Sequence, residues 1–233
     1  MYSNATFVRR AGKTNESLAW PILSRRSVER PIFWIVAGPN GSGKSSLYDD
    51  ANIEAFGHSV WIINPDALAA RIVECEGLGL SDANLEAVRR IEDWLDTSID
   101  AYQTVGVETV LSTDKYRRLV EAAKRRSFEI RLIYVILDSP DRNIERVRLR
   151  VLKGGHDVPE AKIRSRYERS LKQLPWFLSQ AESAWLFDNP GTRPKRIGEK
   201  RGGTIRLDSD ALPSIMDAVR LSAVDHRQSR QVD

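Results

Sequence analysis

Cysteine, histidine and long apolar runs are what this chain has least of: in 233 residues it carries one cysteine, Cys75, three histidines, and no uninterrupted apolar stretch longer than six residues. A lone thiol excludes an intrachain disulfide and a zinc–thiolate cluster, and it points to a reducing cytoplasm rather than to a cysteine-rich secreted scaffold. A run of six falls far short of the ~20 residues that a membrane-spanning helix needs, so no span is predicted and a soluble protein is expected. His58, His156 and His226 fall in no metal-ligand cluster. Excess charge is scarce too, outside one segment. The formal net charge is +4, but residues 1–30 hold six basic and two acidic residues, and beyond them 30 basic residues meet 30 acidic ones. A balanced body makes the net charge a weak argument for nucleic acid.

Residues 1–30 mix Arg, Ser, Asn and Thr with scattered apolar side chains and show neither a helical nor a strand period, which predicts a flexible basic arm. No apolar core follows its basic residues, as a secretory signal would require, while its composition leaves an organelle transit peptide open. The content of 41% hydrophobic and 29% charged residues suits one globular domain, expected over 31–225, with 226–233 as a tail. Five short, β-rich apolar runs mark that domain, at 32–36, 60–63, 107–111, 130–137 and 184–187. Helical patterns separate them, and the alternation predicts an α/β fold with a central parallel sheet. Leu85, Val88, Ile91, Leu95 and Ile99 recur every three or four residues, which predicts a helix behind a cap at Ser81 or Asp82. The glycines of 195–207 predict a hairpin, and 211–221 a closing helix.

Directly after the first run stands Gly38-Pro39-Asn40-Gly41-Ser42-Gly43-Lys44-Ser45, a full match to G-x-x-x-x-G-K-[ST], with Ser46 behind it. The glycines let successive backbone N–H groups curl round a β-phosphate, Lys44 can bridge β and γ oxygens, and the Ser45 hydroxyl suits Mg²⁺. A nucleoside triphosphate site is therefore predicted. No Asn-Lys-x-Asp guanine motif appears, and no apolar strand ends in the Asp-Glu pair of motor ATPases. Asp138 is either a Walker-B-like strand end or a turn former before Ser139-Pro140.

In open α/β sheets ligands bind beyond the carboxyl ends of the strands, so the polar residues there are candidates for chemistry. After the second run comes Asn64-Pro65-Asp66. Asp66 is either a general base for an acceptor hydroxyl or the capping or first-turn acid of a helix. In the third run Glu108 is costly among apolar residues unless it is paired, binds substrate or sits on an exposed edge. Ser112 and Thr113, just beyond it, are also candidate helix caps. Arg142, Arg146 and Arg150, spaced by four, share one helix face, with Ile144, Val147 and Val151 on the packing side. After Gly154-Gly155-His156, a second helix opened by Pro159 carries Ile163, Tyr167 and Leu171 beside Arg164, Arg166 and Arg169. An arginine-rich hairpin of this kind can lie as a lid over a γ-phosphate, one or two arginines acting in transfer and the rest solvated.

Taken together, residues 37–46, Asn64-Pro65-Asp66, 108–112 and the stretch from Arg146 to Tyr167 resemble the zeta-toxin family of phosphate-loop kinases over about 32–189. The distinctive part is Arg-Val-x-x-Arg-Val-x-x-Gly-Gly-His-x-Val-Pro, read at 146–159. The resemblance implies a three-layer P-loop kinase fold with a helical arginine-rich lid. It further implies ATP- and Mg²⁺-dependent phosphorylation of a sugar hydroxyl on UDP-N-acetylglucosamine or a related nucleotide sugar, held in check in toxin members by an antitoxin. By the same similarity, the loop residues 38–46 bind the nucleotide and Ser45 the metal. Asp66 is the base, Glu108 with Thr109 and Ser112 contacts substrate, and Arg150 with Arg166 stabilises the transferred group. Phe187-Asp188-Asn189 would place Asp188 near the adenine. The chain departs from the family at Thr109-Val110-Leu111-Ser112, where an arginine is missing, and Arg164 remains an alternative to Arg166. Two rival readings stand beside it: a kinase for a different nucleotide, sugar or antibiotic hydroxyl, and a non-catalytic ATP-binding module.

Overall fold

The computed structural model describes residues 30–49, 62–191 and 193–229, apart from the side chains of 46, 48, 49 and 224–229. The expected arm at 1–29 and residues 60–61 of the second run lie outside this set. Arg30, counted with the arm, belongs to the folded body, where it forks onto Glu182 and donates to the carbonyls of Ser127 and Phe128.

The first run forms β1 (Ile32–Ala37), followed by the short helix α1 (Lys44–Asp49). Then come β2 (Ile62–Ile63), α2 (Pro65–Glu76), α3 (Leu80–Asp100), β3 (Val105–Thr109), α4 (Arg117–Arg125) and β4 (Glu129–Ile136). The helical hairpin α5 (Pro140–Leu152) and α6 (Glu160–Gln180) leads to β5 (Ser183–Asp188). The hairpin β6 (Lys195–Arg201) and β7 (Thr204–Leu207) and the helix α7 (Pro213–Ser229) follow. The sheet order is β2-β3-β1-β4-β5-β6-β7, parallel from β2 to β5 and antiparallel through β6 and β7. This is an α/β fold with a mostly parallel central sheet.

Alternation along β1 explains why that strand reads as unbroken apolar sequence. Phe33, Ile35 and Ala37 enter a large core with side chains from α3, α4, α6 and α7, whereas Trp34 and Val36 join Leu47, Ile133, Val135 and Trp185 on the other face. Trp34 and Trp185 stack there at 5.7 Å between ring centroids.

Four expectations are corrected by the structure. The third strand occupies 105–109 rather than 107–111, because Leu111 turns out of the sheet with φ 58 while its side chain stays buried. The buried face of α3 is Ala83, Ala87, Ile91, Leu95, Ser98 and Ile99, and Leu85 is 70% exposed. Ala69, Ile72, Ala83 and Ala87 let α2 and α3 approach closely, so small residues hold the face that the larger leucine was expected to hold. Gly79, with no side-chain bond, occupies the N-cap position expected for Ser81 or Asp82. Finally, the closing helix expected at 211–221 is α7, which runs from 213 to 229. Among the described residues no helix is long and apolar enough to cross a membrane.

Candidate active site

An open cleft of about 1190 Å³ lies beyond the carboxyl ends of β1, β3 and β2, with the α5–α6 hairpin as its far wall. The loop after β1 is held in shape by three side chains from distant parts of the chain. Asn143 of α5, fully buried, donates to the Asn40 carbonyl at 2.7 Å. Asn189, beyond β5, donates to the Ser42 carbonyl at 2.9 Å, and Arg166 of α6 donates to the Asn40 side-chain oxygen at 3.2 Å. Two glycines permit this packing. Gly41 has φ +76, and a Cβ there would lie 2.6 Å from the Asn143 carbonyl oxygen; Gly43 has φ +92, and its Cβ would lie 2.1 Å from the Asn189 amide.

Lys44 opens α1 and is only 7% exposed. Its ammonium donates to the carbonyls of Gly38 at 2.8 Å and Pro39 at 3.2 Å, and stands 3.9 Å from a Glu108 carboxylate oxygen. Burial pushes its pKa down, an effect opposed by the charges of Glu108 and Asp66 and aided by Arg150. Glu108, 9% exposed on β3, is thus a paired carboxylate in the wall of the cleft and not an edge residue. Asn64 is the N-cap of α2: its Oδ1 accepts from the backbone N–H groups of Asp66 at 2.8 Å and Ala67 at 3.2 Å. Its Nδ2 donates to Glu108 at 3.1 Å. Capping is therefore the work of Asn64, and Asp66 is a first-turn acid whose exposed side chain lines the cleft.

Thr109 and Ser112, both half-buried, line the same wall. The Thr109 hydroxyl oxygen also accepts from the Leu111 N–H at 3.0 Å, fixing the turn in which Leu111 adopts positive φ. Neither Ser112 nor Thr113 caps α4, whose N-cap is Tyr116.

The hairpin carries a small core of its own, Ile144, Val147, Val158 and Ile163. Its arginines divide by partner. Arg142 pairs with Asp138, Arg148 with Glu160 and Arg164 with Asp141, so Arg164 is committed elsewhere. Arg146, Arg150 and Arg166 line the cleft. Arg150 donates to the His156 carbonyl at 2.7 Å, Arg146 to the Gly191 carbonyl at 2.7 Å, and burial with the nearby Arg142 pushes the Arg146 pKa down.

Lys44, Ser45, Asp66, Glu108, Thr109, Ser112, Arg150 and Arg166 thus border one cleft together with Asn40, Gly41 and Gly43. Gly38, Pro39 and Ser42 shape the loop from behind, and the Ser46 side chain lies outside those described. Asp188 does not line the cleft; it sits half-buried, its pKa raised by burial and by Asp138. Asn64, Asn143 and Asn189 carry no assigned role in the sequence, and Arg146 stands there only as one of the lid arginines. Their partners lie up to 147 residues away, and the only local signal was Asn64 standing before Pro65 at a helix start.

The profile of the AAA domain family (AAA_33) matches residues 33–172. A Haemophilus influenzae protein, described only as uncharacterized, is 26% identical over 140 residues, 59% of this chain and 92% of that protein. Among solved structures, the AvrRxo1-ORF1:-ORF2 complex with ATP superposes with a TM-score of 0.58 at 15% identity, covering 83% of this chain and 64% of that one. The present chain therefore spans less than two thirds of that relative. A structure from the PezAT chromosomal toxin-antitoxin system of Streptococcus pneumoniae superposes with a TM-score of 0.54 at 14% identity, covering 82% of this chain and 77% of that one.

Proposed function

Since the chain belongs to the AAA domain family, we propose that it is an ATP-dependent small-molecule kinase that phosphorylates a hydroxyl of UDP-N-acetylglucosamine or a related nucleotide sugar. The observation that carries this reading is the convergence of Lys44, Asp66, Glu108, Arg150 and Arg166 on one cleft. Phosphoryl transfer asks for little covalent chemistry from the protein and much positioning and charge. Lys44 would leave the carbonyls of Gly38 and Pro39 for the β and γ oxygens. Arg150 and Arg166, with Arg146 beside them, would surround the migrating group. Asp66 would take the proton of the acceptor hydroxyl, and Glu108, Thr109 and Ser112 would orient the acceptor. The ATP in the AvrRxo1 complex supports ATP as the donor.

No group of three His, Cys, Asp or Glu side chains among the described residues could hold a metal ion alone. The donors present fit a Mg²⁺ bound by the Ser45 hydroxyl and otherwise by phosphate oxygens and water. Such an ion neutralises phosphate charge when bound. A protein partner, an antitoxin among them, is part of the same reading, as is a cytoplasmic location. The half-buried Ser112, where the zeta-toxin pattern has an arginine, favours a second reading, a kinase with the same donor and a different acceptor hydroxyl.

The test is phosphotransfer from labelled ATP to a panel of nucleotide sugars, sugars and nucleosides, with Asp66→Asn as the variant. Loss of a general base is expected to lower turnover by ~10² to 10⁴ while ATP still binds. Wild-type turnover in Asp66→Asn would remove Asp66 from the role, and no product from any acceptor would overturn the kinase reading.

A further inference from the structure

We infer that Asn64 is a positioning residue that locks Glu108 to Asp66, so that the two carboxylates, one on β3 and one on the first turn of α2, move as one unit. This rests on the kinase reading for its consequence in catalysis, although the coupling itself is a property of the fold. The orientation of the Asn64 amide is dictated by its surroundings. Two backbone N–H groups, of Asp66 and Ala67, can only meet an acceptor, so Oδ1 faces α2 and the N–H₂ group faces Glu108. One planar amide thus bridges the first turn of α2 and the carboxylate of β3.

The bridge matters because Lys44, a cation close to Glu108, has competing tasks. Lys44 stands 3.9 Å away, beyond direct hydrogen-bond distance, and already donates to two carbonyls. In the proposed reaction its ammonium turns to the triphosphate. The Asn64 amide is neutral and anchored by two backbone bonds, so it keeps its hold on Glu108 whether or not nucleotide is present. An acceptor oriented by Glu108 then presents its hydroxyl at a constant distance from Asp66. A misplacement of about 1 Å costs on the order of 10²-fold in rate.

Two substitutions separate this role from capping. Aspartate and serine are as good N-caps as asparagine, so Asn64→Asp and Asn64→Ser keep the helix start while deleting the donor to Glu108. Asn64→Asp also sets a second carboxylate against it. Both variants are expected to retain the wild-type melting temperature within a few degrees and the wild-type KM for ATP. Turnover with the acceptor should fall roughly 10- to 100-fold, more in Asn64→Asp than in Asn64→Ser. In a Glu108→Ala background the same replacements should cost less than about twofold, since the partner through which Asn64 acts is gone.

A measurement that needs no acceptor keeps the coupling testable if the kinase reading fails. In Glu108→Ala, amide exchange at Asp66 and Ala67, followed by NMR, should quicken at least about fivefold, because the anchor of their capping oxygen is lost. Unchanged exchange at both amides would overturn the inference even in an active kinase. So would wild-type turnover in Asn64→Asp, or costs that simply multiply in the Glu108→Ala background.

Discussion

Lys44 and Lys200 are both nearly excluded from water, at 7% and 5% exposure, and both turn their ammonium groups onto backbone carbonyls. Lys44 has carboxylates close by and lines the cleft, where an incoming anion can take it over. Lys200, on β6, donates to the carbonyls of Leu178 at 2.6 Å and Ser179 at 3.4 Å, near the C-terminal end of α6. It serves as a helix C-cap delivered from another strand. Burial, with Lys124 adding to it, lowers its pKa to about 8. The unfolded chain holds that proton up to about 10.4, so between pH 8 and that value the unfolded state binds more protons than the folded one. The contribution of Lys200 to stability therefore rises with pH through this window and is smallest below it. Denaturant unfolding of wild type and Lys200→Met at pH 7, 8.5 and 10 checks this. Wild type should gain on Lys200→Met as the pH climbs, and parallel pH profiles would count against it.

At the scale of an element, the α5–α6 hairpin sorts chemically similar arginines by where the helices aim them. Arg164 and Arg166 are two residues apart on α6, which places them on different sides of the helix. Arg164 meets Asp141, and Arg166 meets Asn40 in the cleft. Arg166→Ala is expected to lower phosphotransfer by ~10³ or more, as for an arginine that stabilises the transferred group. Arg164→Ala removes an exposed ion pair worth at most ~1 kcal/mol and should leave turnover within about twofold. Steady-state kinetics on both variants decides, and equal losses would mean that the hairpin acts through its fold alone. The spacing in the sequence showed that these arginines share a hairpin, but not which faced inward, because that depends on Asp141 and Asn40, 23 and 126 residues away. The phosphate loop was legible for the opposite reason: its chemistry sits in eight consecutive residues. The asparagines that brace it, Asn143 and Asn189, carry no local signature. The α3 stripe was misread at Leu85 because close helix packing selected Ala83 and Ala87 over a larger neighbour.

For the molecule as a whole, the cleft exists only when the chain is folded, since its walls come from 40–45, 64–67, Asn84 and Val88, 108–116, 146–166 and Gly191. A ligand bound there has no counterpart site in the unfolded chain, and its binding energy adds to the stability of the entire domain. The walls are also heavily cationic, with seven Lys and Arg residues against three carboxylates. Several of these cations donate to backbone carbonyls, Lys44 to those of Gly38 and Pro39, Arg146 to that of Gly191 and Arg150 to that of His156. Those bonds keep the site formed, and a polyanion can replace them with stronger charge-assisted ones. ATP with Mg²⁺ at 100 times its Kd should then stabilise the fold by about 2.7 kcal/mol, a rise in melting temperature of roughly 5–10 °C for a domain of this size. Differential scanning calorimetry with and without MgATP measures it. Lys44→Ala, compared with its own ligand-free baseline, should lose most of the rise, because the deleted ammonium is the one buried at the centre of the loop. A wild-type domain whose melting temperature ignores MgATP would show that the loop, although correctly folded, takes no triphosphate.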